Sequence, residues 1–330
     1  MKILVTGGAG YVGSACLRHL LARGFDAIAF DNLVQGHREA VPDGKLIVGD
    51  IADTAAVTDA LRRVKADAVM HFAAATYVGE SVSDPEYHYR NNIGGTLSLL
   101  NAMRAAGVKR MLFSSTCATY GMNPVVPMRE DAVQDPCSPY ARTKLAVEWM
   151  IRDFATAYGL GFTLLRYFNA AGASQDGKHG EDHKDENHLI PLTLQVPLGQ
   201  RQKLKVFGKD YPTPDGTCIR DYVHVEDLAQ AHRLAIEATQ PDTREVFNIG
   251  TGTGSSVLEV IRTCEAVTGK SIPFDVADRR PGDPPALVAS PEKLKSKLGW
   301  KPEFTLRDTV QTAWKWHQSH PKGYASSARV

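Results

Sequence analysis

Charge of one sign is scarce in this 330-residue chain: 38 lysines and arginines face 37 aspartates and glutamates, for a formal net charge of +1. No global field therefore recruits nucleic acid or an anionic membrane, although a local basic group can still meet a phosphate. No apolar run reaches the ~18 residues that a membrane-spanning helix needs. Cysteine is sparse, with five residues at positions 16, 117, 137, 218 and 264. They lack the spacing of a metal site or a short disulfide framework, and reduced thiols in a cytoplasmic protein are the simplest reading. Because "MKILVTGG" opens straight into a strand-like run, no signal peptide is expected. Long repeats and low-complexity linkers are lacking, and only the tail "PKGYASSARV" reads as disordered. What is present, 43% hydrophobic and 23% charged residues, is the composition of a globular protein. The length suffices for one large domain or two unequal lobes.

Short apolar runs alternate with helical patterns through the first half. "KILVT", "DAIAF", "LIVGD", "AVMHFAA", "RMLFSS" and "FTLLRYFN" read as strands, and "TAAVTDALRRV" and "NIGGTLSLLNAMRAAG" as helices. Such alternation implies right-handed crossovers and a parallel sheet covered on both faces. The expected fold class is α/β, a doubly wound parallel sheet.

After the first strand comes "TGGAGYVGSACLRHLLARG", in which Gly7, Gly8, Gly10 and Gly13 fall between strand and helix. Glycine lets the backbone turn tightly and approach a pyrophosphate seated at the helix N-terminus. The second strand ends in Asp31, where a carboxylate can bind an adenosine ribose diol. A 2′-phosphate would face that carboxylate, so the pattern points to NAD over NADP. Asp50 and Ile51, after the third strand, are adenine-edge candidates, with a helix cap as the alternative for Asp50.

"SPYARTKLAVEWM" places Tyr140 four residues before Lys144 on one helix face. A cation beside the phenol would lower its pKa from about 10. Taken alone the spacing is a weak motif, equally that of a surface pair near a helix start.

With these motifs the chain resembles the extended short-chain dehydrogenase/reductases, and among them the UDP-glucose 4-epimerase family. The likeness runs from Met1 to about Tyr324 through "TGGAGYVGS", "DNL", "HFAA", "VGES", "NNIGGT", "SSTCATYG", "SPYARTKLAVE", "LRYFN", "DYPTPDGTCIRDYVHVEDLA" and "RRPGDPPALVAS". It implies an NAD-binding Rossmann domain over 1–170 with a returning contribution from about 219–250. Residues 171–330 would form mainly a smaller α/β lobe that binds the UDP-sugar.

The resemblance implies that Tyr140 is the base that takes the sugar C4 hydroxyl proton as hydride passes to NAD. Thr116 would bridge substrate and phenol, and Lys144 would hold the cofactor ribose and help keep Tyr140 ionised. A 4-keto sugar then turns and is reduced on its other face. NAD would be touched by Gly7, Gly10 and Gly13, by the backbone of Tyr11 and Val12, and by Asp31, Asn32, Asp50, Ile51, Phe72, Ala73, Ala74, Asn91 and Phe168. The UDP-sugar would meet Asn169, Leu189, Phe207, Arg220, Arg280, Asp283 and Leu287, the two arginines matching diphosphate oxygens. Leucine at 287, where relatives restricted to UDP-glucose and UDP-galactose carry tyrosine, suggests room for an N-acetyl group. A homodimer is implied through the helices of "DPEYHYRNNIGGTLSLLNAMRAAG" and "SPYARTKLAVEWMIRDFATAYG".

Departures from the pattern are few. Thr116 replaces a serine, Thr76 stands where some relatives have a phosphate-contacting lysine, and His188 replaces an asparagine, so Leu189 is expected to contribute only its backbone. A UDP-xylose/UDP-arabinose 4-epimerase shares "HFAAATYVGES" and "SSTCATYG". Sugar-nucleotide 4,6-dehydratases carry an Asp-Glu pair after the threonine, where Cys117 and Ala118 stand here, and noncatalytic NAD sensors commonly lose the Tyr/Lys pair. "HGEDHKDENH" gathers three histidines with acids, but as a polar loop without a fixed register it is not expected to hold a metal. "NIGTGTGSS" reads as a helix start capped by Ser255 or Ser256, and His71 as a core histidine.

Overall fold

The computed structural model describes residues 1–122, 125–280 and 283–324. β1 (Lys2–Thr6) runs into α1 (Tyr11–Ala22), followed by β2 (Asp26–Asp31), β3 (Leu46–Val48), α2 (Thr54–Val64) and β4 (Ala68–His71). Two short helices, α3 (Val78–Ser83) and α4 (Pro85–His88), lead through a π-helical turn at Tyr89–Gly94 into α5 (Gly95–Ala106) and β5 (Arg110–Thr116). Next come α6 (Pro139–Tyr158), β6 (Gly161–Tyr167), β7 (Asn169–Ala171) and α7 (Leu189–Leu194). β8 (Leu204–Phe207), β9 (Ile219–Arg220), β10 (Tyr222–His224), α8 (Val225–Ala238) and β11 (Arg244–Ile249) follow. The remainder is β12 (Ser255–Ser256), α9 (Val257–Thr268), β13 (Phe274–Ala277), β14 (Ala286–Leu287), α10 (Glu292–Leu298) and α11 (Leu306–Ser319).

Seven strands form one parallel sheet in the order β11-β6-β5-β4-β1-β2-β3. The alternating side chains of β1 show why both faces must be covered. Ile3 and Val5 enter a core with Leu17 and Leu20 of α1 and Leu228 and Ile236 of α8. Leu4 enters the opposite core with Leu61 of α2, Leu99 of α5 and Ile151 of α6. The chain winds outward from β1 toward β3, then returns to β4 and winds the other way. A crevice opens between the carboxyl ends of β1 and β4, the place where doubly wound sheets bind ligands. A separate core, containing Ile190, Leu194, Val206, Ile261, Cys264 and Val310, joins α7, α9, α11 and the β8–β13 pair.

Strand ends differ from the sequence expectation where local bonds divert the chain. "AVMHFAA" stops being strand at His71, because the N–H groups of Phe72 and Ala73 both turn to Thr6 O, at 2.8 and 3.1 Å. "FTLLRYFN" divides into β6 and β7, the latter pairing with β10 outside the large sheet. The tail is ordered further than expected: Tyr324 is buried, its N–H donating to Asp182 Oδ2 at 2.9 Å and its hydroxyl lying 2.7 Å from His179 Nδ1. Residues 325–330 of that tail lie outside the described residues. All five cysteines are free thiols, and among the described residues no helix is long and apolar enough to cross a membrane.

Candidate active site

The turn after β1 is shaped by backbone contacts that exclude side chains. Gly7 has φ of +72°, and a Cβ there would sit 2.4 Å from Ala73 N. A Cβ on Gly13 would sit 2.1 Å from Gly7 O, so α1 can seat directly on the turn only with glycine there. Gly10 is the cap of α1, with no side-chain hydrogen bond and no acid in the first turn. The positive end of the helix dipole, carrying the N–H groups of Tyr11 and Val12, therefore faces the crevice and suits a pyrophosphate.

Asp31 is buried at the end of β2, accepting the Ala9 N–H at 2.9 Å and the Leu33 N–H at 2.8 Å. Burial pushes its carboxyl up, against the pull of those two bonds and of His37. Each oxygen keeps lone-pair capacity for a ribose diol. Asn32 donates to Asp50 Oδ2 at 3.0 Å, and Asp50 Oδ1 accepts the Ala52 N–H at 2.8 Å. Asp50 is not the helix cap; Asp53 caps α2, accepting from Ala55 and Ala56. Ile51 is buried against Gly95. Ala73 and Ala74 leave β4 at the crevice, whereas the Phe72 ring is turned into the core, 5.0 Å from that of His232. Asn91 donates to Asn92 Oδ1 at 2.9 Å. The glycine turn and the Asp31 carboxylate at the strand end are features that suit a dinucleotide.

Ser138 caps α6 by accepting the Ala141 N–H at 3.2 Å, and Pro139 supplies a first turn that needs no N–H. Tyr140, Lys144 and Glu148 then recur every four residues on one face. Thr116 ends β5 at the same edge, its Oγ1 accepting the Ala118 N–H at 3.1 Å, and lies near enough to the Tyr140 phenol to favour its ionised form. Lys144 is 3% exposed, with Nζ donating to Ser114 O at 3.0 Å and lying 4.8 Å from the Phe113 ring centroid.

The expected lowering of the Tyr140 pKa by Lys144 is not found in this state. Burial raises the phenol's pKa, Tyr167 adds to the rise, and Thr116 opposes it. Burial also brings Lys144 down to about 7, against the pull of Glu148. The reason is that the ammonium is tied to a carbonyl, while a low-dielectric wall penalises charge on both groups.

On the facing side, Arg220 is clamped by Asp283 Oδ1 at 2.6 Å and by the carbonyls of Ile219 and Pro284 at 2.8 and 2.9 Å. Leu287 pairs with Arg220 across β14 and β9 and packs beside Cys117 and Phe168. Arg280 stacks on Phe207 at 4.1 Å. Asn169 donates both its N–H and its side-chain amide to Asp221 O, at 3.0 and 3.1 Å. Leu189 opens α7, where the first N–H groups have no helical acceptor.

Three supporting residues escaped the sequence expectations. Glu148 and Arg166 form a buried ion pair, and Ser115 donates to Glu148 at 2.6 Å. Asn92 holds both polar groups of Ala75 and reaches Thr143 on α6. Only Glu148 carried a signal, its four-residue step from Lys144. His71 is the expected core histidine, bridging Thr6 and Thr96 at 2.7 and 2.9 Å, with burial bringing it down to about 3. Ser256 caps α9 in a capping box with Glu259. In "HGEDHKDENH", by contrast, the loop does have a register: Glu181, His183, Glu186 and His188 converge.

Comparison with known proteins places this geometry among relatives. The profile of the NAD dependent epimerase/dehydratase family matches residues 3–250. The UDP-glucose 4-epimerase of Halalkalibacterium halodurans is 49% identical over 328 residues, 99% of this chain and 98% of that protein. The crystal structure of UDP-glucose 4-epimerase from Brucella ovis in complex with NAD is similar at TM-score 0.92 and 46% identity, covering 95% of this chain and 97% of that one. That of the Bifidobacterium longum enzyme with NAD+ and UDP is similar at TM-score 0.93 and 37% identity, covering 98% and 100%.

Proposed function

The chain belongs to the NAD dependent epimerase/dehydratase family, and on that premise we propose that it is a UDP-glucose 4-epimerase interconverting UDP-glucose and UDP-galactose. The observation that carries the reading is the meeting of Thr116, Tyr140 and Lys144 at the carboxyl edge of the sheet that also bears the glycine turn. Bound NAD supplies reversible hydride acceptance at sugar C4, so that a 4-keto sugar stands between the two epimers. Tyr140 takes the C4 hydroxyl proton and returns it, with Thr116 holding the oxygen between them. Ionising Tyr140 beside protonated Lys144 makes a pair in which each charge offsets part of the other's desolvation. Asp31 holds the adenosine ribose, and the start of α1 holds the pyrophosphate. Arg220, Arg280 and Asp283 grip the nucleotide of the sugar donor. Residues 1–170 with 219–250 thus serve the cofactor, and 171–330 mainly the substrate.

The test is purified protein incubated with UDP-galactose and no added cofactor, the C4 epimers being resolved by chromatography. Turnover with NAD released on denaturation is expected; a UDP-sugar panel including the pentoses that shows no C4 inversion overturns the reading.

Leu287 bears on substrate breadth. Its side chain is half-buried beside Cys117 and Phe168, close to where Thr116 meets the sugar, and is shorter than tyrosine. UDP-N-acetylhexosamines are expected as second substrates. Leu287→Tyr is expected to reduce their kcat/KM by about 10-fold or more relative to the plain hexoses, within the ~1–3 kcal/mol that small pocket changes command. Unchanged relative rates rule out this wall.

Leu97 on α5 and Trp149 on α6 are 43% and 59% exposed, an apolar pair suited to the proposed homodimer. Light scattering is expected to return twice the 36.0 kDa chain mass. A monomer mass at micromolar concentration contradicts it.

A further inference from the structure

The loop between β7 and α7 brings together Glu181, His183, Glu186 and His188, with one donor atom from each lying within 4.8 Å of all the others. The residues are held there by contacts with one another and with Trp316 and Asn187. Glu181 is buried, and its carbonyl accepts the Trp316 indole N–H at 3.1 Å. Glu186 Oε1 accepts the N–H groups of Asn187 and His188 at 2.8 Å each, which leaves Oε2 toward the centre. His188 Nδ1 bonds Glu181 Oε1 and lies 3.8 Å from Glu186 Oε1.

His183 is the informative member. Its Nδ1 is buried and lacks a partner of hydrogen-bonding geometry, although Glu181 Oε1 is 3.3 Å away and Glu186 Oε2 3.4 Å. The nitrogen lies almost equally far from two carboxylates, within ion-pair range of both. Both histidines thus share the same two carboxylates, as ligands of one ion would. The two separations from His183 Nδ1, 3.3 and 3.4 Å, match the edge of a tetrahedron, which is ~3.4 Å for ligand distances of about 2.1 Å. Two imidazoles with two carboxylates form a nitrogen/oxygen set suited to zinc, and the two negative charges balance a divalent ion.

We propose that Glu181, His183, Glu186 and His188 bind one zinc ion in a closed, structural site. The ion would fasten the loop between two parts of the crevice wall. The His183 ring meets Tyr11 of the glycine turn edge-on at 6.4 Å and Tyr77 at 6.0 Å, and His188 immediately precedes Leu189. A fourth protein ligand leaves no open coordination position for substrate chemistry, so the site's effect is on the shape and stability of the loop.

The test uses the full-length protein, stripped with a chelator, dialysed and titrated with zinc by calorimetry. Cobalt(II) visible absorption reports the geometry. About one zinc per chain and a tetrahedral cobalt spectrum are expected. His183→Ala is expected to weaken zinc binding by about 10²-fold or more, since losing a ligand costs at least what losing an outer hydrogen-bond partner does. His188→Asn, a change at a half-exposed side chain, is expected to do the same while leaving circular dichroism unchanged. Cys137→Ser, at the one exposed thiol among the five cysteines, should leave binding intact. Absence of saturable uptake at micromolar zinc by folded protein overturns the proposal, as does uptake that survives both histidine changes or is lost with Cys137→Ser.

Discussion

Tyr140→Phe is expected to lower kcat by about 10²-fold or more, the scale for losing a general acid–base group, while leaving fold and NAD content unchanged. The ring is retained, so its packing survives; what disappears is the hydroxyl proposed to move the C4 proton. Lys144→Ala serves as the contrast, because its loss should reduce both turnover and NAD retention. Lys144 is buried and brought down to about 7 in this state. On the proposed mechanism, Tyr140 would carry its negative charge beside the protonated form of that lysine. Single-turnover rates and dinucleotide released on denaturation distinguish the two variants. A Tyr140→Phe enzyme with near-normal kcat would mean that the phenol is not the base.

Glu148→Ala is expected to produce the largest loss of stability. Glu148 and Arg166 are 1% and 2% exposed. Glu148 Oε1 accepts Ser115 Oγ at 2.6 Å and Arg166 Nε at 2.9 Å, while Arg166 also reaches Tyr120 Oη at 3.0 Å. Removing the carboxylate strands a guanidinium in the core between α6, β5 and β6. Breaking such a pair costs about 3–5 kcal/mol, a fall in Tm on the order of 10 °C for a chain of this size. Because Glu148 shares the α6 face with Tyr140 and Lys144, activity should fall as well, through lost positioning and a further drop in the Lys144 pKa. The double change Glu148→Leu with Arg166→Met should recover most of the stability, since it leaves no unpaired charge. A single-variant loss below about 1 kcal/mol in urea unfolding would contradict the assignment.

Much of this was legible before any coordinates. The strand–helix alternation announced the parallel sheet because crossover connections leave few other arrangements for such a pattern. The four glycines marked a tight strand-to-helix turn because only glycine tolerates the contacts found at Gly7 and Gly13. The Tyr140–Lys144 step was visible because α6 is a continuous helix, and Thr116 because it ends a strand. Element ends were less legible. "AVMHFAA" reads as one apolar run, yet two of its N–H groups turn to Thr6 O, a bond between residues far apart in the chain. Tyr324 likewise looked like part of a loose tail, and is buried against His179 and Trp316.

The sequence by itself thus determined the kind of sheet, the nucleotide turn and which side chains carry the proposed chemistry, because those depend on local periodicity and on backbone conformations that few residues adopt. Only the tertiary structure decided the charge states and the loops. The sequence places Lys144 one helical turn from Tyr140, which favours the phenolate. The fold instead buries the lysine, half-buries the tyrosine and ties the lysine to Ser114 O, so desolvation dominates both pKa shifts. The sequence also shows "HGEDHKDENH" as a polar loop without a period. Contacts with Trp316 and the loop's own N–H groups draw Glu181, His183, Glu186 and His188 to one point. Desolvation, and the Trp316 contact that fixes Glu181, arise from residues distant along the chain, and so have no signature within any short stretch of it.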